Sequence, residues 1–190
     1  MIGGSLIFWA VMGWLNEPIS PVRGSIIVFQ ICVGLLIMVR APVALRTQGI
    51  RYAAVVLFSF VANGLVFIGA PLPAQWRLPA VAIFISGTVM ALVSLFFLGR
   101  SFAVLPSLRQ VKTHGPYALV RHPAYFGELV MLGGCCAAFT GNWPLALPGF
   151  AMCIAAIVLR IVYEERFLMQ SQAYRRYADS VRWRLLPGVW

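Results

Sequence analysis

Apolar residues in this chain run almost unbroken for the length of a bilayer crossing. Ser25–Val39 with its apolar continuation to Leu45, Tyr52–Ala70, Pro79–Leu98 and Trp143–Tyr163 are four such runs, each near the ~20 residues that span a hydrocarbon core as a helix. A fifth, Tyr125–Thr140, reaches that length only if the turn from Pro123 joins it, and Met1–Leu15 reads as a short span or an interfacial helix. That first run lacks the basic leader and small-residue cleavage site of a signal peptide. Asn16-Glu17-Pro18 closes it, and Pro71 and Pro73 close the run ending at Ala70, because proline removes a backbone donor and clashes with the preceding turn. The pattern predicts an all-α, polytopic membrane bundle of five to six spans.

Composition sharpens this. With 61% hydrophobic and 11% charged residues, the chain is far from the roughly 25% charged residues of a soluble domain, and far too apolar for a disordered one. Its 190 residues suit a single domain, 1–190, with N-terminal spans over 1–98 and the polar chemistry confined to 99–190. The net charge of +10 would point to nucleic acid in a soluble protein. Here the basic residues lie between the apolar runs and read as an edge facing anionic lipid head groups, with no nucleic-acid partner. All fifteen Lys and Arg except Arg23 and Arg77 fall on one predicted side, so the positive-inside rule places the 99–122 segment and the C-terminus in the cytoplasm. Trp76 and Trp143 then fall at the opposite interface. One lysine among the fifteen points to a GC-rich genome and a bacterial inner membrane. Cys32, Cys135, Cys136 and Cys153 sit in apolar stretches without metal-ligand spacing and read as packing residues, with no metal site.

Ionisable side chains gather in two clusters, residues 99–128 and 160–184. In the first, Gly115-Pro116 signals a turn, and His122-Pro123 biases His122 away from helix while Pro123 opens the next helix. The free amides of that helix start, beside Arg121 and His122, suit an anionic or polar ligand group; a solvated basic loop is the plainer alternative. Glu128 follows Tyr125 by three residues, so it either lines a pocket or pairs with Arg121. His114 reads as an exposed loop residue. Gly133-Gly134 reads as a close helix contact. In the second cluster Arg160 and Glu164, four apart, share a helix face at the membrane boundary, where an ionisable pair is a functional candidate or a snorkelling arginine with a surface partner. Glu165 reads as solvated. Residues 173–187 read as a cytoplasmic amphipathic helix with its aromatic face on the membrane.

Gly115-Pro-Tyr-Ala-Leu-Val-Arg-His-Pro-Ala-Tyr-Phe-Gly127, followed by Arg160-x-x-x-Glu164-Glu165 and a Tyr174/Tyr177 and Leu186-Pro187 tail, resembles the isoprenylcysteine carboxyl methyltransferase family, within the small membrane methyltransferases that include phospholipid N-methyltransferases. The resemblance covers about the C-terminal half. It implies S-adenosylmethionine as methyl donor, contacted by Arg109, Gln110, Val111, Lys112, Tyr117, His122, Pro123, Ala124, Tyr125 and Glu164, and a lipid-like or prenylated acceptor held by Arg160. The segment before Arg109 is shorter than in the eukaryotic enzymes and contains Pro106, so it receives no assignment.

Displacement chemistry at a methyl group needs positioning more than acid–base help, and a carboxylate acceptor is already ionised. Arg160 can hold it bidentately, Glu164 can meet the donor's cationic portion or orient Arg160, and Glu128 is a further acceptor-side candidate. An amine acceptor, as in phospholipid N-methylation, needs a base, for which Glu128 and His122 are the nearby groups; Arg160 would repel an ammonium. A membrane reductase of related architecture is a third reading. A transporter component would need more polar residues within the spans than Gln30 and Asn63.

Overall fold

A computed structural model describes residues 20–39, 45–46, 50–71, 75–102, 107–108, 110–139 and 143–190. Met1–Leu15 and Arg109 lie outside the described residues. The described chain forms helices α1 (Pro21–Val39), α2 (Ile50–Gly69), α3 (Leu78–Leu98), α4 (Pro123–Ala138), α5 (Trp143–Leu168) and α6 (Gln172–Ser180), with short 3₁₀ turns at Gly99–Ser101 and Gly115–Ala118. Two-residue strands β1 (Leu45–Arg46) and β2 (Ser107–Leu108) pair antiparallel, Leu45 opposite Leu108. The helical expectation holds. Three of the helices, Pro21–Val39, Leu78–Ser101 and Ala146–Leu168, are long and apolar enough to cross a membrane, while Ile50–Val66 and Pro123–Ala138 are shorter apolar helices.

The most extensive contact is between α3 and α4, and glycine makes it possible. A Cβ on Gly127 would stand 2.6 Å from the Ala91 backbone nitrogen, and one on Gly134 would stand 2.7 Å from that of Phe84. Gly134 therefore packs as the sequence predicts, whereas Gly133 meets only the Phe150 ring at 3.9 Å. Gly127, the last residue of the motif, is a packing residue too. Helix α2 lies on α5, and α1 on α3. Phe84, Leu132, Cys135, Cys153, Ala156, Ile157 and Ile161 fill the shared core, and the described cysteines are free thiols, three of them buried. Leu57, Leu65 and Phe96 point outward, as lipid-facing side chains do.

One end of the bundle collects the polar loops. The β1–β2 ladder ties the segment after α1 to the segment before residue 110, and the Arg100 Nε donates to the Val39 carbonyl at 3.2 Å. The end of α5 meets the start of α4 there through Glu164 and Glu165. The two polar clusters of the sequence thus share one end.

Trp76, just before α3, is buried; its ring stands edge-on to Phe84 at 5.5 Å and its Nε1 donates to the Pro71 carbonyl at 2.7 Å. One expectation needs correction. The C-terminal helix spans only Gln172–Ser180, and its Tyr174 and Tyr177 turn inward onto Tyr117 and Val111 rather than outward. The following residues form an irregular strap.

Candidate functional site

The site begins at the His122–Pro123 turn. His122 adopts φ −126°, ψ 56°, outside the helical region, and Pro123 opens α4, as the dipeptide predicts. The strap pins this turn: the Arg121 and His122 amides donate to the Trp183 and Arg184 carbonyls at 2.9 and 2.8 Å. The Arg121 guanidinium adds bonds to the Val181 carbonyl at 2.8 Å and the Arg182 carbonyl at 2.9 Å.

Beneath the turn lies Glu165, and here the expectation of a solvated residue fails. Glu165 is buried. Its Oε1 accepts from Arg121 Nη1 at 2.7 Å and lies 3.3 Å from His122 Nε2, while its Oε2 accepts from Arg184 Nε at 2.6 Å. Tyr174 Oη stands 3.5 Å from Oε1. The reason is helical phase: Ile157, Ile161 and Glu165 recur every four residues, so Glu165 continues the buried stripe of α5. Arg121 is thereby committed to Glu165 rather than Glu128.

Glu164 turns to the other side. The Tyr125 hydroxyl donates to its Oε2 at 2.5 Å. Arg160 does not pair with Glu164; among the described residues no carboxylate lies within 4 Å of its guanidinium. It sits between two rings instead, its Cζ 4.8 Å from the Tyr125 centroid and 5.3 Å from that of Phe60. Arg160 is buried and its Nε has no partner among the described residues; the Tyr52 hydroxyl on α2 approaches it without completing a hydrogen bond. Glu128 pairs with neither Arg121 nor the loop. Its Oε1 accepts from Asn63 Nδ2 at 2.6 Å.

A cavity opens between these groups, lined by Leu95, Leu98, Ser101, Phe102, Gln110, Val111, Lys112, Tyr117, Arg121, His122, Ala124, Tyr125, Arg160, Glu164, Leu168, Tyr174 and Tyr177. Of the residues singled out in the sequence, it brings together Gln110, Val111, Lys112, Tyr117, His122, Ala124, Tyr125, Arg160 and Glu164. Pro123 is buried behind the wall and Glu128 lies off this cavity. His114 is exposed, as expected. Tyr174 and Tyr177, noted in the sequence only as part of the tail, are wall residues; their three-residue spacing on one helix face is the signal that points there. The Tyr177 hydroxyl donates to the Tyr117 carbonyl at 2.7 Å. Burial pushes the phenols of Tyr117, Tyr174 and Tyr177 above their ordinary range, so these three side chains stay uncharged and offer ring faces. The His122 and Tyr125 rings stack at 5.6 Å.

Fold and site together define a helical protein with membrane-length apolar helices and a cavity where their loops converge. The chain belongs to the phospholipid methyltransferase family, whose sequence profile matches residues 76–176. It is also 33% identical over 105 residues to protein-S-isoprenylcysteine O-methyltransferase A of Arabidopsis thaliana. That alignment covers 51% of this chain and 52% of the relative, so the chain matches about half the length of that protein. Asn63, Phe60 and the strap beyond residue 176 fall outside the family match.

Proposed function

We propose that this chain is a membrane-embedded methyltransferase that uses S-adenosylmethionine to methylate a carboxylate on a lipophilic acceptor. The observation that carries the reading is Arg160: a buried guanidinium, stacked between Phe60 and Tyr125, with no carboxylate within 4 Å among the described residues. A buried cation with no direct ion pair is costly, and in this reading the acceptor's carboxylate completes that pair.

The cavity walls fit the donor. Glu164 supplies a carboxylate for a cationic group, Tyr117, Tyr174 and His122 supply ring faces for a purine, Leu95, Leu98 and Leu168 supply apolar wall, and Gln110 and Lys112 supply polar contacts at the rim. When bound there, S-adenosylmethionine supplies an electrophilic methyl group on sulfonium, whose transfer to a carboxylate oxygen leaves a neutral thioether and moves no proton. Tyr125 holds Glu164 in place by its hydroxyl and supports Arg160 by its ring, so one side chain sets both halves of the site. The remaining contribution is alignment, which can supply much of a displacement rate.

In this reading the site and the C-terminus face the cytoplasm of a bacterial inner membrane. The water-soluble donor enters by the loops, and the acceptor, prenylated as the relative's name describes its own substrate, enters from the bilayer. Incubating the purified protein with methyl-tritiated S-adenosylmethionine and N-acetyl-S-farnesylcysteine tests this. A methyl ester releases volatile methanol in base. Base-stable label on phosphatidylethanolamine instead would replace carboxyl methylation with N-methylation.

A further inference from the structure

Asn63 and Glu128 lie one layer deeper than Arg160. On α2, Asn63 follows Phe60 by three residues; on α4, Glu128 follows Tyr125 by three. Phe60 and Tyr125 are the two rings that hold the Arg160 guanidinium, so the hydrogen-bonded pair lies about 4.5 Å further along each helix, away from Glu164. The field of Glu128 reaches Arg160. Both residues of the pair are partly buried. Asn63 spends its Nδ2 on Glu128 at 2.6 Å, while its Oδ1 is buried without a partner among the described residues. An amide and a carboxylate within an apolar bundle are expensive there and mark a ligand path by default.

We infer that Asn63 and Glu128 are specificity-determining residues that accept a hydrogen bond from an N–H next to the acceptor's carboxylate. This rests on the carboxylate reading of Arg160. The cluster presents a cation at one level and hydrogen-bond acceptors one turn beyond it. A head group that satisfies both carries its anion toward the donor cavity and its N–H toward the bilayer interior, with the apolar chain following. A simple long-chain acid leaves Asn63 Oδ1 unpaired, and a site built to hydrogen-bond a group discriminates against ligands that lack it. Asn63 lies outside residues 76–176, the stretch matched by the family profile, while Glu128 lies within it, so the layer joins a residue of the family match to one outside it.

Two probes separate the possibilities in the full-length protein: N-acetyl-S-farnesylcysteine and S-farnesyl-3-thiopropionate, which differ only in the acetamido group. With tritiated S-adenosylmethionine, kcat/KM for the first exceeds that for the second by about tenfold or more. In Asn63→Leu the ratio falls to within about twofold of one. Glu128→Gln, which keeps the side-chain shape, lowers the same ratio and keeps the test decisive if the leucine variant does not fold. Equal use of both probes by the wild type, or a ratio unmoved by the substitutions, overturns this inference while leaving carboxyl methylation standing. Methylation of neither probe overturns the carboxylate reading and this inference with it.

Discussion

Tyr125 and Glu164, 39 residues apart in sequence, are joined by a 2.5 Å hydrogen bond from the phenol to the carboxylate. The same phenyl ring lies under the guanidinium of Arg160, 4.8 Å from Cζ to centroid. This contact joins the two polar clusters, as the Arg121–Glu165 pair also does, and one side chain serves two neighbours of opposite charge.

Arg160 is expected to act on the acceptor and not on the donor. Arg160→Ala removes methyl transfer while the affinity for S-adenosylhomocysteine stays within about threefold, because the donor wall on Glu164, Tyr117 and Tyr174 is untouched. Arg160→Lys restores little, since an ammonium has neither the planar stacking face nor the forked donors of a guanidinium. Paired turnover and binding assays check both statements.

Glu165 is expected to matter to stability more than any other carboxylate. Replacing it with alanine leaves Arg121, whose side chain is 8% exposed, without its anion, a loss of about 3–5 kcal/mol by analogy with broken buried pairs. Arg184→Ala is milder, because that side chain is 36% exposed and better solvated. Thermal unfolding in detergent should rank Glu165→Ala well below Arg184→Ala, with the wild type highest.

Much of this arrangement was legible in the sequence. Unbroken apolar runs marked the five long helices, but the expected continuation of the first to Leu45 fails, since Leu45 pairs in β1; His122-Pro123 marked the start of α4. Proline acts through local geometry, so it reads at short range. The four-residue spacing of Arg160 and Glu164 put both on one helix face, and both line the cavity, but it could not show that Arg160 would lie against Tyr125 and Phe60, from two other helices, without an ion pair to Glu164. The burial of Glu165 was not legible because it depends on three partners distant in sequence, Arg121, His122 and Arg184, and on the phase of α5. The Asn63–Glu128 bond, 65 residues apart, has no local signature. The strap was misread as helix because arginine and aromatic residues alternate there as on an interfacial helix.

Gly127 is expected to tolerate no side chain. A Cβ would come within 2.6 Å of the Ala91 backbone nitrogen and 2.8 Å of the Gly87 carbonyl oxygen, and backbone on both sides cannot yield as a side chain tip can. Gly127→Ala should cost at least the ~1–3 kcal/mol typical of overpacking, seen as a lower unfolding temperature. Gly133→Ala, with its nearest contact at 3.9 Å, is the control and should leave that temperature close to wild type.

The central claim is that the two clusters build one donor site around the Tyr125–Glu164 contact. Calorimetric titration of S-adenosylhomocysteine into the purified wild type, Tyr125→Phe and Glu164→Gln tests it most directly. The account predicts saturable binding to the wild type, weakened by about tenfold or more in each variant, with all three proteins unfolding at similar temperatures. No binding to the wild type, or equal affinity across the three, would contradict it.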